Sequence, residues 1–510
     1  MIGKAKELAP PSKNSRYRNC WPKRLAFVPL AFLALLAACG SGKQQNPLVA
    51  EYDVNAPAGS TVKVEFGIDT NYGRETWSQP APSGGGIVKI QVAGMKPITT
   101  YHMRAVITKP DGTISYDADR KFATGSFDGG RMPTFTATGD ESSGRGVELI
   151  NFPTLIWGNT KHQDYQAVVT DLAGNVIWYY DHDQSEGNVF PIKQLPNGHM
   201  LLNITNTVQT SVLREIDLAG NSLSQITGDR LNQELDVFGY HHHIKVFHHD
   251  FLRLPNGHTI LLASEDRQLS NLVGLSKPTL VEGDDVVDLD QNLKPVWVWS
   301  TFDHLDPNRH PLAPYPDWTH GNALVYTPDH NLLLSLRNQS WIIKIDYEDA
   351  IGNGDILWKL GYQGDFTLTS GDSSNWFYGQ HAPHLLSSNG STLTLAIFDD
   401  GNDRVASNGS SCASDCYSRP IIMDVDETAK TATVEFSDHL DLFTIWGGDV
   451  RQLGSGNVEF DISAPSGLPG SRVEEITDTS FPRVVWQMDM SLADAYRAYR
   501  IPSLYPGVQW

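Results

Sequence analysis

Gln194-Leu195-Pro196-Asn197-Gly198-His199-Met200-Leu201-Leu202 recurs as Arg253-Leu254-Pro255-Asn256-Gly257-His258-Thr259-Ile260-Leu261-Leu262. An Asn-Gly pair between two apolar runs signals a hairpin, because the turn needs positive φ and these residues supply it at least cost. Weaker copies begin at Val325 (with Thr327-Pro328-Asp329-His330), Leu386 (with Asn389-Gly390) and Gln452 (with Ser455-Gly456-Asn457). The starts lie from about 59 to 72 residues apart. That is room for four strands and their loops, the size of one propeller blade. Between the copies falls an acid-bearing strand ending in aromatics, as in Asp171…Trp178-Tyr179-Tyr180 and Asp290…Trp297-Val298-Trp299. Five copies and a degenerate segment at 132–183 make six. The chain is therefore expected to be all-β, with a six-bladed β-propeller over residues 131–510. Helical periodicity is clearest over Asp489–Tyr499, and few other windows show it.

A propeller gathers the inner strand ends of its blades around one axis. Three histidine clusters precede hairpins: Phe247-His248-His249-Asp250, Asp317-Trp318-Thr319-His320-Gly321-Asn322 and Gly379-Gln380-His381-Ala382-Pro383-His384. From His249 to Gly257 is eight residues, from His320 to His330 ten, and from His381 to Gly390 nine. One histidine in a β protein is usually a surface or packing residue. Three at matched places point to a site on the axis. The run His241-His242-His243 has no such register and reads as solvated.

Arg337 closes the largely apolar run Leu332-Leu333-Leu334-Ser335-Leu336 and calls for an anion or a carboxylate partner. Asp399 and Arg404 read as a salt bridge within a turn. Three imidazoles suit zinc, but their wide spacing, the lack of a matched carboxylate and the charge of Arg337 argue against it. An arginine, the amide of Asn322 and neutral imidazoles fit an oxyanion such as sulfate or phosphate better. No metal and no cofactor is expected. Trp318, Trp376, Phe377 and Tyr378 flank the motifs; they form either an aromatic wall for substrate, with Trp318 the first choice, or blade packing.

The chain has 510 residues and a net charge of −20. Residues 1–38 carry seven Lys or Arg against one acid, which leaves the remainder near −26. Such a surface repels nucleic acid, and none is expected as a partner. Lys13, Arg16, Arg18, Lys23 and Arg24 precede the apolar run Leu25–Ala38, which has the length of a signal-peptide core and is short for a membrane span. The run ends Leu36-Ala37-Ala38-Cys39-Gly40 and is similar to a bacterial lipobox. The expectation is a signal peptide over 1–38, lipid on Cys39, a tether over 39–47, and a periplasmic protein anchored to the outer membrane. In that oxidising compartment Cys412 and Cys416 read as a small disulfide loop. Residues 48–128 alternate with period two and turn at Pro110-Asp111-Gly112, which indicates a β-sandwich. Its Pro97…Tyr101 segment resembles the corner of fibronectin type III domains, so a small fibronectin-III/Ig-like sandwich is expected ahead of the propeller.

His248-His249-Asp250, Asp317-Trp318-Thr319-His320-Gly321-Asn322, Ser335-Leu336-Arg337-Asn338-Gln339, Gln380-His381 and Phe398-Asp399-Asp400-Gly401 together resemble the bacterial arylsulfate sulfotransferases. The resemblance covers most of residues 131–510. It implies a nucleotide-independent transferase that moves a sulfuryl group from a phenolic sulfate ester to a phenol, by ping-pong through a sulfated histidine. On this sequence the family's nucleophile falls on His381, its supporting histidines on His320 and on His249 of the 248–249 pair, and its Asn and Arg on Asn322 and Arg337. Substrate contacts are then expected from His249, His320, Arg337 and Trp318. The lipobox and the position of the cysteine pair after His381 depart from the family pattern. A non-catalytic envelope scaffold and a His-liganded metallohydrolase are the alternatives. The sequence is compatible with a monomer or a homo-oligomer.

Overall fold

The computed structural model describes residues 46–139, 145–153, 165–206, 210–312, 314–406, 408–412 and 416–510. The leader, with Cys39, lies outside them. Within the described residues, six sheets of at least four strands, almost wholly antiparallel, make up the propeller. In the first four blades the chain enters at the innermost strand and works outward. These inner strands are Asn188–Gln194, Val246–Arg253, Gly321–Tyr326 and His381–Asn389. Neighbouring inner strands touch in sequence around the ring.

The ring closes twice. Thr134–Gly139 pairs with Val484–Ser491 as the outermost strand of the fifth blade. Arg497–Ile501 pairs with Val147–Asn151 and supplies the innermost strand of the sixth. The degenerate segment thus serves two blades rather than forming one alone. Residues 484–491 and 497–501 are strands, so the helix expected at Asp489–Tyr499 is absent. Alanines and tyrosines at spacings of three and four imitate a helical stripe there. The inner strand is packed on both faces and carries no simple alternation to correct the impression. The longest helix among the described residues is instead Gly228–Phe238, capped by Thr227 at its start and by left-handed Gly239 at its end.

The repeated phrase works as a turn lock. Gly198 and Gly257 adopt φ of 77° and 86°, and His330 takes the equivalent place in the third copy at 65°. The residue after each turn glycine reaches an acid on the third strand: His199 to Glu215 at 2.6 Å, His258 to Asp288 at 3.1 Å, and Asn457 to Glu475 at 2.6 Å. Each such bond satisfies a buried carboxylate and fixes the register of its blade.

In the N-terminal sandwich, Ala50–Ala56 alternates buried and exposed and pairs with Gly86–Val92. Thr61–Gly67 and Thr100–Thr108 centre the facing sheet. The Tyr101 hydroxyl accepts the Lys96 amide at 2.9 Å, the corner that its sequence resembles. Chain beyond the last propeller strand returns to this domain. Trp510 packs edge-on against Phe66, lies under the Arg74 guanidinium and donates its indole N–H to the Glu75 carbonyl. Tyr505 donates to the Gln91 carbonyl at 2.8 Å and accepts the Ala93 amide at 2.7 Å. Cys412 and Cys416 are joined in a disulfide.

Candidate active site

The inner strands of the second, third and fourth blades each break register at their axial ends, between Phe247 and Phe251, Gly321 and Ala323, and His381 and His384. Left-handed residues stand within the breaks of the second and fourth blades, His249 (φ 52°) and Ala382 (φ 43°), and His320 (φ 51°) immediately precedes the strand of the third. Non-glycine residues in this region are uncommon and cluster at functional sites. The backbone counterpart of His381 is therefore His248, one residue earlier than the turn spacing suggests. All four rings, His248, His249, His320 and His381, nevertheless line one cavity of about 380 Å³.

His381 is only 2 % exposed. Its Nδ1 lies 2.8 Å from Oδ2 of Asp400, a fully buried carboxyl at the end of the next strand. The Gly447 amide sits 3.2 and 3.3 Å from its two ring nitrogens. Burial, then the charges of Arg337, His320 and Arg497, hold His381 well below the usual imidazole range, so the ring is neutral. Burial pushes Asp400 well above the carboxylate range; Asp399 and Asp461 add to this, and Arg337 opposes it.

His320 has its Nδ1 2.7 Å from Asp317 Oδ2. Burial works to raise Asp317, but the His320 imidazole, Asn338 and Arg337 outweigh it and hold the carboxyl at about 2. His249 packs against His320, with ring centres 4.7 Å apart, and against Phe190 at 4.8 Å. Its Nδ1 meets Nδ1 of His248 at 2.9 Å, and His248 Nε2 stands 3.1 Å from Asp284. Burial and the surrounding histidines push His249 well below its ordinary value. Asp284 also accepts the Thr319 hydroxyl and the Gly321 amide, so one carboxylate ties the second blade's histidines to the third blade's.

Two of the residues expected at the site have their side chains engaged elsewhere. Asn322 is fully buried and donates to the Gln380 carbonyl at 2.7 Å, so it sets the backbone before His381 and does not face the cavity. Trp318 is also fully buried: its indole N–H bonds the Arg309 carbonyl and its ring packs on Phe302. Trp376, Phe377 and Tyr378 belong to the core between the third and fourth blades. The aromatic faces of the cavity come from Phe190 and Trp446. Arg337 lines an adjoining cavity, donating to Asn338, Asn402 and the Ile445 carbonyl, with Nε 3.8 Å from Asp400. Asp399 does bind Arg404, and Arg419 as well. Among the described residues no group of three or more His, Cys, Asp or Glu side chains is arranged to hold a metal ion.

Sequence reasoning misses Asp400, Asp284, Tyr496 and Arg497. Asp400 adjoins Asp399 in the Phe398-Asp399-Asp400-Gly401 motif and is distinguished only by pointing the other way, toward His381. Tyr496 and Arg497 lie in the stretch that imitates a helix. There Arg497 bonds Asp250 and the Asn322 carbonyl, and Tyr496 bonds the His249 carbonyl.

Residues 136–500 match the family model described as Arylsulfotransferase (ASST). No curated protein matches the chain significantly. Among solved structures, a structural-genomics protein from Lactobacillus plantarum is 9 % identical over 70 % of this chain and 100 % of that one, with a TM-score of 0.37. A mutant of the Synechocystis apocarotenoid oxygenase is 11 % identical over 90 % and 97 %, at 0.34. Drosophila plexin A bound to semaphorin 1b is 9 % identical over 58 % and 52 %, at 0.29. Likenesses this distant carry no information on the chemistry, whereas the family match spans most of the propeller and all four cavity histidines. The chain belongs to the arylsulfotransferase family.

Proposed function

We propose that the protein moves a sulfuryl group from an aryl sulfate to a phenol by ping-pong, through a sulfated His381. The observation that carries this reading is the buried pair of His381 and Asp400. With Asp400 ionised, Nδ1 keeps its proton in the hydrogen bond and Nε2 carries the lone pair. Nε2 attacks sulfur, an N–S bond forms, and the S–O bond to the aryl group breaks with its electron pair leaving on the phenolate. Sulfuryl transfer has a loose transition state like that of phosphoryl transfer, so little covalent help is needed beyond positioning and charge. Positive charge grows on the imidazole as the bond forms, and the Asp400 carboxylate stabilises it.

His320, as imidazolium, protonates the departing phenolate, and the ionised Asp317 beside it stabilises that charge. In the second half the neutral His320 takes the proton of the incoming phenol, whose oxygen attacks the sulfur held on His381. Arg337 adds fixed positive charge near the sulfuryl oxygens, and His249 presents a neutral ring to them. Turnover of a chromogenic aryl sulfate with added phenol is the test. His381→Ala should lower phenol release by at least about 10³-fold, and enzyme trapped with donor alone should gain about 80 Da on the peptide bearing His381. Full activity in the variant ends the proposal.

We also propose that Cys39 is lipidated and holds the enzyme on the periplasmic side of the outer membrane; the basic, apolar and Leu36-Ala37-Ala38-Cys39 segments support it. Cys39→Ser should shift the protein from the membrane fraction to the soluble periplasm. Unchanged membrane retention would reject the anchor.

A further inference from the structure

Beside the histidine cavity lies a second and larger one, of about 590 Å³, against about 380 Å³ for the first. The two share His320 and Trp446, so they adjoin across those side chains. Arg337 and His320 adjoin in the second chamber, the Arg337 amide donating to the His320 carbonyl at 3.1 Å, and His320 lies on the side shared with the first. Asp494 puts an acid on its wall, and most of the remainder is apolar: Phe443, Ile445, Leu468 and Leu492. Ile445 is 51 % exposed and Leu492 43 %, large apolar side chains left open to water inside a concavity. Arg337 Nε is buried, has no hydrogen-bond partner among the described residues and stands 3.8 Å from the carboxylate that holds His381. The chamber therefore begins one residue away from the support of the nucleophile.

An apolar recess with its polar groups at the reacting end selects an amphipathic molecule. We propose that this chamber seats the apolar extension of the substrate, and that the enzyme acts on sulfate esters of phenols bearing a bulky or alkyl substituent. The inference rests on the transfer reading above for its head group. In this geometry the sulfuryl group stands at His381, the ring passes between His320 and Trp446, and the substituent lies on Leu468 and Leu492. A lone phenyl sulfate fills only the first cavity and leaves the second wet. Burying a methylene multiplies binding roughly fourfold, and an enzyme that uses this energy in the transition state shows it in kcat/KM.

The test compares 4-pentylphenyl sulfate with phenyl sulfate as donors for the full-length enzyme. The extended donor should have a kcat/KM at least tenfold higher, and Leu468→Asp should cut that ratio at least tenfold. Leu492→Asp should do the same, and it is the safer variant: Leu492 has a φ of 58°, a conformation Asp tolerates better than Leu. Equal kcat/KM for the two donors, or a ratio that neither variant changes, overturns the proposal. Should the wild-type enzyme release no phenol from either ester, the transfer reading fails and binding decides the chamber. Quenching of Trp446 fluorescence, absent in Trp446→Phe, then reports 4-pentylphenol against phenol. Tighter binding of the longer phenol, lost in Leu492→Asp, upholds the chamber, and equal binding overturns it.

Discussion

Asp400 gives His381 its direction. In water the pair would hold its proton loosely; here both groups are sealed from solvent, and burial opposes charge on either. On the proposed mechanism the reactive state needs one proton in the pair, on Nδ1. A second proton settles on the Asp400 carboxyl, which then donates to Nδ1 and leaves the hydrogen on Nε2, the atom proposed to attack. As pH rises the pair loses that second proton, so the acid limb of the kcat profile should rise with pH. Asp400→Asn fixes the wrong form permanently, because its amide donates to Nδ1. By the precedent of inverted tautomers, kcat should fall by about 10⁴-fold, and the rise with pH should vanish. Stopped-flow release of phenol across pH checks both. A variant that keeps the wild-type pH profile would remove Asp400 from the mechanism.

At the scale of elements, the site depends on three irregular strand ends held to one another. Asp284 spans two of them: it accepts the Gly321 amide at 2.7 Å and the Thr319 hydroxyl, and it faces His248. Asp284→Ala leaves a buried amide and hydroxyl without partners, at a cost of about 3 kcal/mol in total. The urea midpoint should fall accordingly, and kcat should fall with it as His320 loses its fixed backbone. An unaltered midpoint would mean the strand ends are held by other contacts. Much of this architecture is legible in the sequence. Asn-Gly and Ser-Gly turns encode hairpins through local φ preferences, so the blades announce themselves in the spacing of Gly198, Gly257, Gly390 and Gly456. The repeat alone points the three histidine clusters at one axis, although it aligns His249 with His381 where the backbone aligns His248. The register of the bulges does not follow from the repeat, since a one-residue slip changes which side chain faces the axis without altering the turn spacing. Nor does the burial of Asn322 and Trp318, because a cavity wall is set by packing across blades rather than along a strand.

Over the whole molecule, sandwich and propeller are joined through the chain beyond Ile501. Trp510 is housed where the Gly94 backbone leaves room: a β-carbon there would come within 2.2 Å of the indole. Trp510→Ala empties that socket and should cost about 3 kcal/mol. Limited proteolysis should then cut between the sandwich and Thr134 at lower protease concentration, ahead of any cut within the blades. Resistance equal to wild type would show that the remaining contacts, among them Tyr505 on Gln91, Gln91 on Asp217 and Lys96 on Asp171, suffice to join the two.

The double closure of the ring also makes the sixth sheet depend on a strand far along the chain. For a chain delivered N-terminus first, the sandwich and the strands of five blades emerge while the sixth sheet still lacks its inner strand. Until residues 497–501 arrive, Val147–Asn151 presents an open edge, the kind of surface that recruits chaperones or another chain. The same late segment brings Arg497 to Asp250 and to the Asn322 carbonyl, and so completes the floor beneath the histidines. A polypeptide lacking this stretch would hold every cavity histidine and yet want the Arg497 contacts that tie Asp250 to the strand bearing Asn322.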